Sequence, residues 1–188
     1  MRPAVAVFAV AALAQWAVPL AGIWQHERVI ARGVAVKLLC AAPDPYDPLR
    51  GRYLAVRPAQ DRVPAPPGMP EGQAVPVWAR LVADADGLAR IESLSLEPVT
   101  GPNLIRVVAR LAPGSGEPEA FVEWPFDRFY LNERLAPDAD ALVAERFRAG
   151  EKPVAEIRLL DGRAVLTDVL VDGVSIRDVV RRRAAATP

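Results

Sequence analysis

The sequence predicts a mainly β fold of the α+β class: a compact antiparallel β domain with one surface helix, preceded by an N-terminal transmembrane helix. Residues 4–24 contain no charged side chain. After residue 33, most segments alternate apolar and polar residues with a period of two, which is typical of strands. One longer segment has the apolar spacing of an amphipathic helix. These observations divide the chain into an anchor with a short helical extension (1–32), a single β-rich domain (33–180) and a basic tail (181–188).

Composition limits the number of domains and the class of partner. The chain has 188 residues, and the part that follows the anchor has the size of one ordinary domain, about 100–150 residues. The formal net charge is zero, so the basic excess that attracts nucleic acid is missing and we expect no nucleic-acid partner. The sequence has no complete cofactor or metal motif, and we expect no cofactor and no metal.

The apolar residues 4–24 predict a membrane anchor. At about 1.5 Å per helical residue, this segment is about long enough to cross a roughly 30 Å hydrocarbon layer. Trp16 and Trp24 are of the type that lies at the membrane–water boundary. A cleaved signal peptide is the alternative, because Ala12-Leu13-Ala14 resembles a cleavage site. Cleavage there would leave a very short signal sequence, which favours the uncleaved anchor.

The orientation of the anchor follows from its position in the chain. Arg2 flanks one end, and His26, Arg28 and Arg32 flank the other, so the count of basic residues does not decide the orientation. An anchor that precedes a folded domain most often sends that domain across the membrane. We therefore expect a single-pass protein of the cytoplasmic (inner) membrane, with the lipid bilayer bound by residues 4–24 and the C-terminal domain outside the cytoplasm.

The strands are predicted from alternation bounded by Gly or Pro. Gly33 ends the helical extension, and a shift of the apolar phase after Ser93 indicates a β-bulge. Proline removes a hydrogen-bond donor and restricts its neighbour, so residues 42–48 and 58–76 are predicted loops, the second one flexible. The predicted strands cover residues 34–39, 52–57, 77–82, 89–96, 104–111, 120–124, 128–131, 155–159 and 164–171.

The C-terminal third contains the predicted helix and the clearest hairpin. Pro137-Asp138 is typical of a helix start, and Gly150 is typical of a helix end. Asp161-Gly162 between two alternating segments is a strong signal for a two-residue hairpin turn. Ser175 is predicted to cap a short basic helix that ends in the arginines at 181–183. The apolar stripe of the first helix consists of Ala139, Leu142, Val143 and Phe147.

The residues that carry chemistry do not form a catalytic set. His26 is the only histidine and lies beside the anchor, so a Ser-His-Asp triad or a multi-histidine metal site cannot form in the domain. Cys40 is the only cysteine and is interpreted as a small buried side chain. A Ser–Lys dyad that uses Lys37 or Lys152 stays open.

Two acidic residues lie in the proline-rich loop before the second strand. Asp44 and Asp47 could ligate a hard cation, but Asp beside Pro is ordinary turn chemistry, which we favour. Arg50 could pair with them and brace the loop. The terminal arginines 181–183 could contact anionic lipid, but a solvated tail is the simpler interpretation.

Residues 44–57 resemble the signature of the GDYXXLXY family of bacterial membrane-anchored proteins. The stretch Asp-Pro-x-Asp-Pro-Leu-Arg-Gly ends at Gly51, and Gly51 and Tyr53 match letters of the family name. Arg52 stands where the family has Asp. Two further stretches, 128–133 and 161–164, are also similar to the family. The residues assigned to an interaction motif on this basis are Asp44, Asp47, Arg50, Gly51, Tyr53, Phe129, Tyr130 and Glu133.

The resemblance implies one N-terminal anchor, a compact mostly β domain and no assigned activity, with relatives encoded beside multi-pass membrane proteins. The leading hypothesis is a non-catalytic accessory or interaction module for an integral, multi-pass membrane partner, acting through the loop from Asp44 to Tyr53. The alternative is a hydrolase at the outer membrane-facing surface, by analogy with signal-peptidase-like folds. A carrier with a small-ligand pocket in the β core is a third possibility.

Overall fold

The structure is a computed structural model that describes residues 3–42, 53–113, 117–132 and 134–186. Three helices are described: α1 (Pro3–Arg32), α2 (Ala136–Arg148) and α3 (Ile176–Ala186). The described strands are β1 (Val34–Leu39), β2 (Tyr53–Ala55), β3 (Arg62–Pro64), β4 (Val75–Ala83), β5 (Leu88–Ser95), β6 (Leu104–Leu111), β7 (Glu119–Glu123), β8 (Arg128–Tyr130), β9 (Val154–Leu160), β10 (Arg163–Val171) and β11 (Val174–Ser175).

The strands form one large sheet and one small sheet. The large sheet has nine described strands in the order β11-β10-β9-β1-β5-β4-β6-β7-β3, and β2 pairs with β8 in the small one. All pairs are antiparallel except β1 with β5. This confirms the prediction of a mainly β fold with antiparallel pairing.

The large sheet curls until the turn of the β9–β10 hairpin reaches β6. The backbone N–H of Arg106 donates to the carbonyl of Gly162 at 2.8 Å, and Ile105 and Gly162 form an isolated parallel bridge. The predicted hairpin at Asp161-Gly162 is confirmed, and both of its turn residues have positive φ, 52° and 76°. This is the pattern that a type I′ turn requires. The hairpin turn therefore closes the sheet as well as joining two strands.

The core lies inside this curl and follows the predicted faces. On β6, Ile105, Val107 and Ala109 are buried and Arg106 and Arg110 are exposed. On α2, three residues of the predicted stripe are buried, and the fourth is partly buried against the core: Ala139, Leu142, Val143 and Phe147. The apolar periodicity of the sequence thus located the core on both strand and helix.

The predicted bulge is also present. Arg80 of β4 lies opposite Ser93, whereas the next residue, Leu81, lies opposite Ile91. Glu92 is therefore the extra residue on β5, next to the predicted phase shift after Ser93. An unpaired extra residue bends its strand, which contributes to the curl of the sheet.

The proline-rich segment 58–76 is not the flexible loop predicted from its composition. Residues Arg62–Pro64 form β3, and Val63 and Met69 are buried. The side chain of Gln60 explains this order: its amide nitrogen donates to the carbonyl of Ile91 at 3.1 Å, and its amide oxygen accepts from the N–H of Ile91 at 2.6 Å. The Gln60 side-chain amide thus makes the two hydrogen bonds to the Ile91 backbone that a neighbouring strand would otherwise make.

We expect Gln60→Ala to lower the free energy of unfolding by about 2 kcal/mol, because the substitution leaves the N–H and C=O of Ile91 without partners. Urea unfolding followed by circular dichroism measures this change. Gln73→Ala is the matched control, since Gln73 is exposed, and we expect it to change the stability by less than about 0.5 kcal/mol. Equal stability of the two variants would contradict the role given to Gln60.

Cys40 is buried, as predicted, with 5% of its surface exposed. Its N–H donates to the carbonyl of Pro153 at 2.9 Å. Burial raises the pKa of the Cys40 thiol to about 12. The reactive thiolate is therefore strongly disfavoured in the folded protein.

We expect iodoacetamide at pH 8 to modify folded Cys40 at least about 100-fold more slowly than the unfolded chain, in which the thiol has its ordinary pKa. Mass spectrometry of the alkylated protein, with and without guanidinium, measures both rates. Comparable rates would show that the thiol is accessible and ionised in the folded state.

Helix α1 runs from Pro3 through the predicted anchor to Arg32. Among the described residues, no helix reaches the length and hydropathy needed to cross a membrane. The structure therefore does not support a transmembrane helix at residues 4–24, and the membrane anchor is treated below as a proposal.

The C-terminal end of α1 is firmly attached to the β domain. Val29 is buried, with 3% exposed, and the Gly33 N–H donates to the Val29 carbonyl at 2.8 Å. A Cβ atom at Gly33 would lie 2.4 Å from that carbonyl oxygen and 3.1 Å from Cβ of Arg158. Because the backbone makes so close an approach, only glycine fits between α1 and β9. The last turns of α1 are thereby packed closely against β9.

Helix α3 is longer than the predicted basic helix and includes residues 181–186 of the predicted tail. Nη1 of Arg183 lies 2.9 Å from Oε2 of Glu145 on α2. Arg183 therefore joins the two helices instead of extending into solvent. Such an exposed ion pair contributes little to stability, about 0–1 kcal/mol.

Candidate functional site on the small sheet

The small sheet carries the described part of the predicted interaction motif. Strands β2 and β8 pair antiparallel with Tyr53 opposite Tyr130, Leu54 opposite Phe129 and Ala55 opposite Arg128. Successive side chains of a strand point to opposite faces. The pairing therefore brings two predicted site residues that are 77 positions apart in the sequence, Tyr53 and Tyr130, to the same face of one short ribbon.

The outer face presents two tyrosines and one arginine. The ring centroids of Tyr53 and Tyr130 lie 6.1 Å apart in an edge-to-face arrangement, a favourable geometry for aromatic pairs. The guanidinium of Arg128 lies 5.0 Å from the centroid of the Tyr53 ring. Tyr130 is 65% exposed. The ribbon thus offers an exposed aromatic surface with a held cation beside it.

Two neighbouring side chains, Tyr130 and Asp127, interact with the Arg128 guanidinium. A side-chain hydrogen bond to Tyr130, followed by the nearby Asp127 carboxylate, raises the pKa of the Arg128 guanidinium. Its Nε lies 3.4 Å from Oδ2 of Asp127. These contacts hold the guanidinium over the Tyr53 ring, although the group is solvated and the ion pair itself stabilises little.

The inner face joins the ribbon to the core. Leu54 and Phe129 are buried, each with 2% exposed. The guanidinium of Arg177 on α3 lies 4.2 Å from the centroid of the Phe129 ring, which is within cation–π distance. Nη1 of Arg177 also donates to the carbonyl of Thr167 at 3.3 Å. The inner face of the ribbon therefore packs against the core and α3.

The predicted site residues divide into three groups. Tyr53 and Tyr130 lie together on the outer face, and Phe129 faces the core, where it supports the ribbon instead of contacting a partner. Residues 43–52 and residue 133 are not among those that the structure describes. The following predicted site residues lie outside the described residues: Asp44, Asp47, Arg50, Gly51 and Glu133.

Two arginines were missed by the sequence analysis. Arg128 follows Asp127 and precedes Phe129-Tyr130, and this alternation of charged and aromatic residues is a signal that could have identified it. Arg177 contacts Phe129, which is 48 positions away. Nothing in the local sequence around Arg177 indicates that contact.

The described part of the chain forms neither a metal-ligand cluster nor a Ser–Lys pair. It contains no group of three or more His, Cys, Asp or Glu residues placed to hold a metal ion. The described hydrogen bonds include none between Lys37 or Lys152 and a serine. The Ser–Lys dyad that would favour a hydrolase is therefore not formed among these residues.

Several open clefts surround the domain. One of 450 Å³ lies beside Gln60 and Trp124, and one of 740 Å³ lies beside Trp78 and Arg106. A smaller cleft of 220 Å³ separates α1 from the β9–β10 turn. All three lie at the surface of the domain.

The family model described as "GDYXXLXY protein" matches residues 15–169 of the chain, which include β1–β9, most of β10 and the second half of α1. No curated protein and no solved structure shows a significant match.

Proposed function

Because this chain belongs to the GDYXXLXY family, we propose that it is a membrane-tethered accessory domain, which binds an integral membrane partner and performs no catalysis itself. Helix α1 provides the tether, and the outer face of the β2–β8 ribbon provides the binding surface. The observation that carries the proposal is the apolar, uncovered surface of α1.

The exposure of α1 supports the tether. Every side chain described from Val10 to Trp24 is exposed except that of Ala12, which is partly buried. Val10, Trp16 and Val18 are exposed and point to different sides of the helix, because successive helical residues are rotated by about 100°. Val18 reaches 77% exposure. A helix that is apolar on all sides requires an apolar cover.

Lipid is the cover that best fits the sequence of this helix. Residues 4–24 contain no charged side chain, and Trp24 is followed by polar residues that suit the membrane–water boundary. A second copy of the chain would cover only a stripe of α1 and would leave the other sides in water. We place the protein in the cytoplasmic membrane as a single-pass protein, with the β domain outside the cytoplasm.

Orientation has its own test. Protease added to intact spheroplasts should digest the β domain, since the proposal places it on the outer side. Digestion that requires lysis of the membrane would place the domain in the cytoplasm and would contradict the proposed orientation while leaving the tether intact.

The ribbon supports the interaction role. Tyr and Arg are enriched at protein interfaces and among the few residues that supply most of the binding energy there. Tyr130 is exposed. Its ring contacts the Tyr53 ring, and the Arg128 guanidinium lies over the Tyr53 ring, so these contacts hold the three side chains in one arrangement. Since α1 is fused to the domain, the ribbon keeps a fixed position relative to the membrane. An integral membrane protein beside the anchor is the partner that such a surface can reach.

The absence of catalysis is proposed from the sequence. The only histidine, His26, is in α1 near its junction with the domain. It cannot serve as the general base of a serine or cysteine nucleophile inside the β domain, because such a base must lie within hydrogen-bond distance of the nucleophile.

Co-purification tests the interaction. Full-length protein at native expression, extracted in mild detergent, should carry a stoichiometric membrane partner, and Tyr130→Ala should lower the recovered partner by about 10-fold or more, as expected for a hot-spot tyrosine. Arg90→Ala, at an exposed position on β5, is the control that should retain the partner. Recovery of wild-type protein without a stoichiometric membrane partner would contradict the proposal.

A further inference from the structure

The cleft between α1 and the β9–β10 turn has the chemistry of an anion site. It has a volume of 220 Å³ and is lined by Trp24, Arg28, Asp161 and Arg163, among others. We infer that this cleft binds the phosphate of an anionic phospholipid head group. The inference rests on the proposed membrane tether, and its failure can be distinguished from failure of the tether.

The position of the cleft follows from the attachment of α1. Arg28 comes one helical turn after Trp24, so their Cα atoms are about 6 Å apart along the axis. Val29 and Gly33 fix α1 against β9. If residues 4–24 lie in lipid, this fixed geometry places the cleft at the level of the head groups.

The charges of the cleft favour an anion. Arg28 and Arg163 line it together with a single carboxylate, that of Asp161. Nη2 of Arg28 lies 3.3 Å from Oδ2 of Asp161, but Arg163 is exposed and no salt bridge to it occurs within the described ranges. Among the described residues, one of the two cations in the cleft therefore has no acidic partner.

Arg28 keeps hydrogen-bonding capacity beyond its pair with Asp161. Its Nε is buried and has no hydrogen-bond partner among the described residues. The guanidinium also lies 5.8 Å from the centroid of the Trp24 ring, which restricts its orientation. The Arg28 side chain is 41% exposed, so the N–H groups that are not paired with Asp161 can donate to phosphate oxygens, which guanidinium groups bind strongly.

The size of the cleft limits the ligand to a small group. Drug-sized ligands occupy pockets of about 300–1,000 Å³, so a cleft of 220 Å³ suits a phosphate or glycerophosphate group and not an acyl chain. The same chemistry would accept inorganic phosphate. The experiment must therefore separate these two sources.

Native mass spectrometry of the full chain in detergent micelles tests the site. Phosphatidylglycerol, phosphatidylcholine and inorganic phosphate are titrated separately, and bound ligand is counted. We expect phosphatidylglycerol to bind about 10-fold more tightly than phosphatidylcholine, since each arginine near an anionic head group contributes a several-fold preference. The double substitution Arg28→Ala and Arg163→Ala should remove this preference.

The control is a double substitution of two arginines outside the cleft, Arg62→Ala and Arg110→Ala. Each of these arginines lies near an exposed glutamate on the sheet. Both double variants remove two positive charges, so the control should keep the preference for phosphatidylglycerol. Arg163→Glu alone, at an exposed position without a described ion pair, should also reduce the preference and guards against misfolding of the Arg28 variant.

Three outcomes overturn the inference. Equal affinity of the wild type for both lipids would remove the selectivity, and an unchanged preference in the Arg28 and Arg163 variant would place the site elsewhere. Inorganic phosphate bound as tightly as phosphatidylglycerol would assign the cleft to free phosphate. The tether is judged separately by extraction of the protein from membranes: a chain that stays in lipid but shows no selectivity refutes only the head-group site.

Discussion

Phe129→Ala is expected to lower the free energy of unfolding by about 4 kcal/mol, the usual size for removal of a buried phenylalanine ring. Phe129 is 2% exposed and belongs to the main core cluster. The substitution leaves a cavity beneath the β2–β8 ribbon. It also removes the ring that faces the guanidinium of Arg177 at 4.2 Å. The small sheet should consequently lose its attachment to α3.

Tyr130→Ala is the matched control, because Tyr130 is the next residue on the same strand and is 65% exposed. Its loss should lower the stability by less than about 1 kcal/mol. Urea unfolding followed by tryptophan fluorescence measures both variants. The pair also separates folding from binding, since Tyr130→Ala should lose the partner while staying folded. A loss in stability from Tyr130→Ala as large as that from Phe129→Ala would show that the two faces of β8 are assigned incorrectly.

Gly162→Ala is expected to lower the free energy of unfolding by about 3 kcal/mol. Gly162 has φ +76°, and a Cβ atom there would lie 2.4 Å from Cζ3 of the Trp78 ring. The backbone strain accounts for about 1 kcal/mol. Displacement of the tryptophan ring adds about 1–3 kcal/mol, the usual cost of overpacking. Because the large sheet closes through the contact between Gly162 and β6, a displacement of this turn also disturbs that contact.

Gly173→Ala provides the comparison, because Gly173 occupies the same position in the next Asp-Gly turn. Its φ is +75°, but a Cβ atom there would have no neighbour within 4 Å. It should show only the backbone strain of about 1 kcal/mol. In a Trp78→Ala background, the effect of Gly162→Ala should fall to that of Gly173→Ala. Thermal unfolding of the four variants tests this, and equal losses at Gly162 and Gly173 would exclude the contact with Trp78.

Local patterns predicted most of the large sheet. Alternation gave β1 and β6 with their bounds unchanged, and Asp161-Gly162 gave the β9–β10 hairpin. Both signals are contained within a few neighbouring residues. The apolar stripe on α2 was found for the same reason, since side chains three or four positions apart lie on one face of a helix.

Contacts between distant residues were not predictable. The order of the segment around β3 depends on Gln60 and on Ile91, which is 31 positions away, whereas the local proline content indicates a flexible loop. The pairing of Tyr53 with Tyr130 and the contact of Arg177 with Phe129 have the same character. The family resemblance selected Tyr53, Phe129 and Tyr130 as motif residues, but only the fold shows that Phe129 faces inward and the tyrosines outward.

The central claim is that lipid covers α1 and holds the β domain at the membrane. Extraction of isolated membranes with alkaline carbonate tests it most directly, combined with the intact mass of the protein. We expect the full-length protein to stay in the membrane pellet, with residues 4–24 retained in the measured mass. Release of the protein into the carbonate supernatant, or a mature chain that begins at Gln15, would contradict the claim.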